Sequence, residues 1–214
     1  MTVDKLIYDV REGLKAYSDD SELDDRYIMY LYDIKRAKYL RQDINNSLRT
    51  VNVSVLQNIN VKVEKVPPTL GMNIKGKVFL RTVDTIPTPL QLHTKTAITR
   101  IASLDKIAKP FNFITREKVV YACDAPFPNA VYSFLHNDDK IYIVSNLNTV
   151  GLIDSIDVTG VFENPLEVGD MTGEKFNMDY PIQPHYIDII KKEIISELAQ
   201  LAQIPEDKLN NSDD

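Results

Sequence analysis

The hydrophobic period of this sequence changes twice along the chain, and these changes limit the folds open to it. Apolar side chains recur at helical spacing over residues 3–14, alternate with polar ones over 51–63, and return to helical spacing over 187–201. Helices repeat about every 3.6 residues and strands every two. The pattern therefore predicts an α+β fold, with N- and C-terminal helices forming a helical body around an antiparallel β-sandwich or open-barrel middle domain.

The sequence divides into four predicted segments. Residues 1–50 are expected to form a helical hairpin, and residues 51–163 a β-rich domain. Residues 164–203 are expected to form a linker and a C-terminal helix that packs with the N-terminal helices. The remainder, 204–214, has too little apolar content to order itself and is predicted to be a flexible or docking tail. The candidate docking residues of this tail are Pro205, Glu206, Asp207 and Leu209.

Strands are predicted where β-branched and aromatic residues alternate with polar ones between turn-forming residues. The predicted strand regions are 51–63, 77–83, 96–101, 118–122, 131–135, 141–145 and 156–162. The clearest hairpin joins Val131–Leu135 to Ile141–Ser145, because the Asn and Asp side chains between them can bond to a turn backbone. Proline and glycine punctuate residues 64–95, which predicts a long loop that is ordered or orders only on assembly.

The second predicted helix, from about Ser21 to Asn45, has two apolar stripes. The broader stripe, expected to face the core, contains Leu23, Tyr27, Tyr30, Leu31, Ile34, Ala37 and Ile44. The candidate subunit interface is the second stripe with its flanking bases, namely Ile28, Tyr32, Lys35, Arg36 and Tyr39. Two interpretations stay open at this point. Either the first and last helices cover both stripes within the chain, or the second stripe contacts another subunit, where aromatic and Arg side chains are favoured.

The net charge of −6 disfavours a protein that grips nucleic acid by neutralising phosphates, because such binding needs clustered Lys and Arg. The acidity is concentrated at one end, since residues 164–214 carry four basic and eleven acidic side chains. No apolar run approaches the roughly 18 residues that a membrane span needs. A single cysteine, Cys123, excludes an internal disulfide and is expected to be buried and structural.

The sequence offers little for catalysis. The three histidines, His93, His136 and His185, lie in a loop, a turn and a helix start, and no metal-ligand spacing or glycine-rich phosphate loop is present. The acidic run at residues 19–25 favours helix capping over a calcium loop, which would need a glycine at its sharp turn. We therefore predict no enzyme, no cofactor and no metal. A hydrolase whose carboxylates are distant in sequence is an open alternative.

Three segments together resemble virion structural proteins of tailed bacteriophages. They are residues 18–42, beginning Ser-Asp-Asp-Ser-Glu-Leu-Asp-Asp-Arg-Tyr, residues 158–165, Val-Thr-Gly-Val-Phe-Glu-Asn-Pro, and residues 179–188, Asp-Tyr-Pro-Ile-Gln-Pro-His-Tyr-Ile-Asp, followed by Ile204-Pro-Glu-Asp. The similarity is greatest to ring, or head–tail connector, subunits of crAss-like podoviruses. It spans nearly the whole chain, although each motif is structural and unspecific when taken singly.

The resemblance implies a subunit of the virion neck or tail that is assembled in the host cytoplasm. It implies a homo-oligomeric ring, of twelve copies, that joins the portal to the tail with other ring proteins and lets double-stranded DNA pass without sequence-specific binding. In such connectors a helical bundle forms the ring body, a β-domain projects from it, and a C-terminal segment can extend onto the portal. The alternative function is a glycan- or receptor-binding β-module of a tail appendage, which the absence of Trp disfavours.

Overall fold

The computed structural model divides the chain into two compact units. The helical unit comprises Met1–Val55 and Glu174–Asp214, and the β unit comprises Leu56–Gly173. The structure describes residues 1–15, 24–46, 51–67, 70, 77–93, 96–104, 109–123, 130–146, 148–172 and 179–202. The candidate docking residues at 205–209 lie outside these ranges.

The described elements follow the predicted order of helices, strands and a final helix. The helices are α1 (Val3–Leu14), α2 (Asp25–Asn46), α3 (Val119–Cys123), α4 (Pro165–Thr172) and α5 (Pro184–Ala202). The strands are β1 (Gln57–Lys65), β2 (Val78–Thr82), β3 (Ile98–Ser103), β4 (Asn112–Phe113), β5 (Val131–Leu135), β6 (Ile141–Ser145) and β7 (Ser155–Gly160). Three 3-10 turns are described, at Val53–Val55, Arg116–Lys118 and Asn148–Leu152.

The helical unit joins α1, α2 and α5, which come from opposite ends of the sequence. Helix α1 buries the apolar stripe that its spacing predicts, and α5 begins at Pro184, where a missing N–H is tolerated. Thr2 occupies the cap position of α1 in an extended conformation, without a side-chain hydrogen bond. A Cβ atom on Gly13 would lie 2.4 Å from Cδ1 of Ile195, so glycine permits the close approach of α1 and α5.

The β unit contains one seven-stranded sheet in the order β3-β7-β1-β2-β6-β5-β4. All neighbours are antiparallel except β4 and β5, which are parallel. The N–H of Phe111, just before β4, donates to the carbonyl of Ile101 in β3 at 2.7 Å, so the two edges of the sheet approach each other. The sheet is therefore nearly barrel-shaped. The predicted α+β class with an open-barrel middle is confirmed, and the sheet is mixed rather than wholly antiparallel.

Alternating strand residues fill the core of this barrel. Strand β1 alternates buried and exposed side chains over most of its length, as a half-buried strand requires. The buried cluster contains Ile59, Val61, Leu80, Ile86, Ile101, Phe111, Ile141, Ile143, Val150, Ile156, Val158, Phe162 and Val168. This core consists of aliphatic and aromatic side chains with no charged member, so apolar burial holds the unit together.

The hairpin between β5 and β6 is confirmed. The N–H of His136 donates to the carbonyl of Lys140 at 3.0 Å, and Asp139 takes the left-handed conformation, with φ of 55°, that Asn and Asp tolerate in tight turns. The Tyr142 hydroxyl donates to Oδ2 of Asp138 at 2.8 Å. The Asp138 side chain also accepts from the N–H of Lys140 at 3.3 Å, which is the side-chain bond to the turn backbone that the sequence predicts.

The start of the predicted strand region 51–63 and the whole of region 118–122 are wrong, whereas residues 57–63 lie in β1 as predicted. Val53–Val55 forms a 3-10 turn, because the side chain of Asn52 accepts from the N–H of Ser54 and its carbonyl accepts from the N–H of Val55. Residues 118–122, predicted as a strand from their β-branched content, belong largely to the short helix α3. The 3-10 turn at Arg116–Lys118 leads directly into α3, so local turn bonding prevails over β propensity.

Candidate subunit interface

The buried side of α2 contains three of the five residues predicted to contact another subunit. Ile28, Tyr32 and Arg36 are each 0% exposed, so the prediction that they form a surface is corrected. The Tyr32 ring lies edge-on to the ring of Tyr180, whose segment leads into α5. The stripe is therefore covered within the chain, which is the first of the two interpretations that the sequence left open.

Arg36 is held in the interior by a carbonyl and an aromatic ring. Its Nε–H donates to the carbonyl of Pro181 at 2.7 Å, and its guanidinium carbon lies 5.8 Å from the ring centre of Tyr180. The Tyr180 hydroxyl donates to Oδ1 of Asp33 at 2.6 Å. Burial lowers the pKa of Arg36, against the opposing influence of Tyr180 and Asp33. A buried guanidinium persists only where such bonds replace its hydration, and here they fix residues 180–181 against α2.

The Tyr32 hydroxyl is buried and has no hydrogen-bond partner among the described residues. Burial, together with the carboxylates of Asp9 and Asp188, raises the pKa of Tyr32 well above its ordinary value. The phenol is therefore kept neutral. Its contribution to the interior comes from the ring rather than from the hydroxyl.

Lys35 and Tyr39, the other two predicted interface residues, are partly exposed and bind α5. The Tyr39 hydroxyl donates to the carboxylate of Glu193, and this bond, together with nearby lysines, lowers the pKa of Glu193. Nζ of Lys35 lies 2.7 Å from the carboxylate of Glu197, and the Tyr39 ring stacks on that of Tyr186. These side chains join α2 to α5 within the chain.

The exposed side of α2 carries the stripe that was predicted to face the core. Tyr27 is 38% exposed, Tyr30 58% and Ile34 48%, whereas Leu31 and Ala37 of the same predicted stripe are buried. The rings of Tyr27 and Tyr30 stack with their centres 6.4 Å apart. A sequence signal for this exposure was available. Lys38 and Asn45 are polar and lie on the same face of the helix as Tyr27 and Ile34, and both are exposed.

We call this surface the α2 patch and define it as Tyr27, Tyr30 and Ile34 with the exposed Asp24. Asp24 caps the N-terminus of α2, because its side chain accepts from the N–H of Arg26 at 3.0 Å. Its exposed carboxylate lies at the N-terminal end of α2, three residues before Tyr27.

A second exposed apolar surface belongs to the β unit. Val119 of α3 is buried against Phe134 and Tyr142, while Val120 is 60% and Tyr121 78% exposed. Arg116 and Lys118, in the turn before α3, are exposed as well. We call the set Arg116, Lys118, Val120 and Tyr121 the α3 patch. The sequence prediction of a strand concealed this patch. The side chain of Cys123, predicted to be buried, lies outside the described residues.

The β unit also has an open groove of about 700 Å³. Its lining residues are Gln91, Leu92, Thr96, Phe113, Ile114, Thr115, Arg116, Glu117, Lys118, Leu135 and Asn137. Phe113 is the aromatic among them, so the groove offers a single ring to a sugar. Within the described ranges, no three His, Cys, Asp or Glu side chains are grouped to hold a metal ion, and no helix is long and apolar enough to cross a membrane.

Charge divides unevenly between the two units. By sequence, the helical unit carries thirteen basic and nineteen acidic residues, and the β unit carries twelve of each. The whole net charge of −6 thus belongs to the helical unit. That unit also contains the α2 patch, so the exposed tyrosines belong to the unit with the negative net charge.

Comparisons with known proteins give matches over nearly the whole chain. A family model described as phage tail ring protein 2 matches residues 5–214. The chain belongs to this family. Ring protein 2 of Bacteroides phage crAss001 is 23% identical over 223 residues, which span 100% of this chain and 97% of the relative. The resemblance to ring proteins of crAss-like phages, inferred from the sequence, is confirmed.

Membership of the phage tail ring protein 2 family fixes a class of function. A phage tail ring protein is a structural component of the virion and is oligomeric, assembling with other tail proteins. In this ring protein, the candidate interface predicted from sequence mostly binds the chain to itself. The α2 and α3 patches are two of the exposed apolar surfaces among the described residues.

Proposed function

We propose that copies of this chain form a dodecameric ring in the neck of a crAss-like phage virion, where the ring connects the portal to the tail. The observation that carries the proposal is the family match, which begins at residue 5 and continues to residue 214. The relative from phage crAss001 has nearly the same length, so both units of this chain have counterparts in a protein named for a ring. The ring assembles in the host cytoplasm before it joins the virion.

The proposed ring surrounds part of the conduit through which double-stranded DNA passes during genome ejection. A conduit must let phosphates pass without binding them, and a like-charged surface repels them over about 8 Å at physiological salt. The surplus of acidic residues in the helical unit supports this role. The ring therefore contacts DNA transiently and without reading its sequence.

The proposed role is mechanical and involves no reaction, cofactor or metal ion. The support for this role is that three polar groups of the helical unit bond within the unit. Arg36, Asp33 and Tyr180 bond within the unit and hold α2 to the segment before α5. These groups stabilise a fold that must withstand the passage of DNA.

The C-terminal tail is proposed to dock on the portal. The tail contains one proline, two acidic residues and one leucine that could contact a partner, namely Pro205, Glu206, Asp207 and Leu209. Deleting residues 206–214 should leave both units folded and weaken binding to the portal. Unchanged portal binding by the deletion variant would refute this part of the proposal.

The ring itself is tested with purified full-length protein, alone and mixed with the portal of the same phage. Mass photometry and negative-stain images should show closed rings of twelve copies, formed alone or on the portal. A chain that stays monomeric in both conditions, over a range of salt, would contradict the proposed function. Closed rings of another copy number would keep the ring and overturn its dodecameric form.

A further inference from the structure

This inference concerns the α2 patch and holds whether or not the proposed ring exists. Tyr27, Tyr30 and Ile34 are spaced by three and four residues, so they form one row along the exposed side of α2. The opposite side of the helix is already buried within the helical unit. The rings of Tyr27 and Tyr30 stack on each other, so they lose little conformational freedom when a partner covers them. A row with this spacing is the kind of surface against which a second helix packs.

One acidic and one basic side chain flank this row. Asp24 precedes Tyr27 by three residues, and Lys38 follows Ile34 by four. Both flanking residues are exposed, and neither forms an ion pair with another described residue. Nζ of Lys38 lies 5.3 Å from the ring centre of Tyr39, a contact that an exposed lysine gives up at small cost. Both charges are therefore open to a partner.

The other charges nearby are engaged within the chain or lie on another side of the helix. Asp25 is paired with Arg11, and Lys35 with Glu197, at 2.7 Å in each case. On a wheel of about 100° per residue, the two flanking charges lie at the same edge of the row, and the exposed Arg26 lies at the opposite edge. The edge that carries the flanking charges is thus acidic at one end and basic at the other.

We propose that two copies of the chain, outside the ring, pair through their α2 patches with the two α2 helices antiparallel. Asp24 and Lys38 lie seven residues before and after Leu31. Tyr27 and Ile34 lie four before and three after it. When one helix is reversed about this position, Asp24 lies opposite Lys38 of the second copy. Tyr27 then lies within about 1.5 Å, along the helix axis, of Ile34 of the second copy.

The occupant is a second copy because the patch complements itself in this arrangement. A two-fold axis brings the same edges of the two rows together, so each end of the contact joins an acid to a base. Two copies in parallel would instead place acid on acid and base on base. A closed ring of equivalent copies is built from contacts between different surfaces, so this pairing of like surfaces belongs to copies that have not joined a ring.

The size of the contact predicts a weak, reversible dimer. Tyr27 is 38% exposed, Tyr30 58% and Ile34 48%, so the row offers roughly 300 Å² of side-chain surface per copy. Contacts of this size lie at the low end of specific interfaces, and we expect a dissociation constant on the order of 10 µM. Sedimentation velocity of the full chain should therefore show a dimer that grows with concentration in the fraction outside rings.

The first variant removes the apolar centre of the contact. Tyr30→Ser with Ile34→Ser should weaken the dimer about tenfold or more, because aromatic side chains at the centre of an interface supply much of its affinity. The matched control is Tyr8→Ser, since Tyr8 is 61% exposed on α1 and lies outside the patch. The control should form dimers as the wild type does. Circular dichroism checks that each variant is folded.

Charge reversal tests the proposed register. Asp24→Lys and Lys38→Asp each place like charges at both ends of the contact, so each should weaken the dimer about fivefold at low salt and less at high salt. A mixture of the two variants restores opposite charges at both ends, so mixed dimers should form about as tightly as wild-type dimers. Asp24→Asn is the control for the cap of α2, because it keeps an oxygen acceptor for the N–H of Arg26 and removes only the charge.

Disulfide formation reads the direction of the two helices. In a Cys123→Ser background, Tyr30→Cys should give a disulfide-linked dimer, because this position lies next to the two-fold axis. Tyr27→Cys and Ile34→Cys should link to each other in a mixture, and each should link to itself much less. A parallel pair would link each of these variants to itself and would overturn the proposed arrangement.

The outcomes separate this pairing from the ring. A dimer that the double variant weakens and the mixed charge variants restore supports the pairing. A chain that is monomeric outside rings, or a folded double variant that dimerises as the wild type does, overturns it. If the double variant misfolds, a charge-variant mixture that associates no more tightly than either variant alone overturns it. Dimers without rings remove the proposed function and leave this pairing, and rings without dimers do the reverse.

Discussion

The two units of this chain are stabilised in different ways. The β unit has a core of apolar side chains and equal numbers of acidic and basic residues. The helical unit buries Arg36 and Tyr180 and carries the whole net charge. Arg36 bonds to Pro181, 145 positions further along the chain, so this unit forms only when the two ends of the sequence meet. We infer that the β unit tolerates exchange among apolar residues, whereas the helical unit depends on particular polar partners.

The largest expected effect is in the β core. Phe162→Ala removes a fully buried ring from the apolar cluster and should lower the free energy of unfolding of the β unit by about 4 kcal/mol. Amide hydrogen exchange followed by mass spectrometry reports each unit separately. Exchange should accelerate across residues 57–63 and 155–160, and equal acceleration across α1 would show that the units unfold together.

The next effect compares two replacements of Arg36. Arg36→Ala opens a cavity and leaves the Pro181 carbonyl without its donor, so the helical unit should lose about 3 kcal/mol of stability. Arg36→Met fills most of the space without a buried charge and should cost about 1 kcal/mol. Chemical denaturation gives both values. Both variants lose the bond to Pro181 and they differ in volume, so equal losses would show that the polar bond, rather than volume, is what Arg36 contributes.

A backbone contact gives a smaller effect in the β unit. A Cβ atom on Gly160 would lie 3.1 Å from the carbonyl oxygen of Ala97 and 3.3 Å from Cα of Ile98, and backbone atoms cannot easily move away. Gly160→Ala should therefore destabilise the pairing of β3 with β7 by about 2 kcal/mol. Gly151→Ala is the control, because its Cβ would meet only side-chain atoms, at 3.6 Å or more, and it should change stability by less than about 0.5 kcal/mol.

The smallest effect is pH-dependent and belongs to the helical unit. The folded state lowers the pKa of Glu193 below its ordinary 4.5, chiefly through the hydrogen bond from Tyr39, so its carboxylate stabilises the unit above that value. This stabilisation is lost as the pH falls through the folded pKa. Glu193→Gln should cost about 0.5 kcal/mol at neutral pH and nothing in strong acid. A difference from wild type that persists in acid would contradict this account of the charge.

The sequence predicted the element types where a single period prevailed. Residues 3–14 and 187–201 have one apolar stripe each, and the hairpin at 131–145 has turn chemistry that closes it. The family resemblance also held, because it drew on segments distributed along the whole chain. In these regions local pattern and tertiary packing agree, so the pattern alone was sufficient.

The sequence misled where burial depends on distant partners. Helix α2 has apolar side chains on both faces, and the packing of α1, α5 and residues 180–182 decides which face is interior. Arg36 was assigned to a surface because a buried arginine needs partners that no local pattern reveals. The α3 patch was missed for a different reason, since Val119, Val120 and Tyr121 have the composition of a strand but follow a 3-10 turn into a helix.

The most direct test of the account is a cryo-electron microscopy reconstruction of the phage neck. The account predicts a closed ring of twelve copies of this chain between portal and tail. A neck in which this chain forms no closed ring would contradict it.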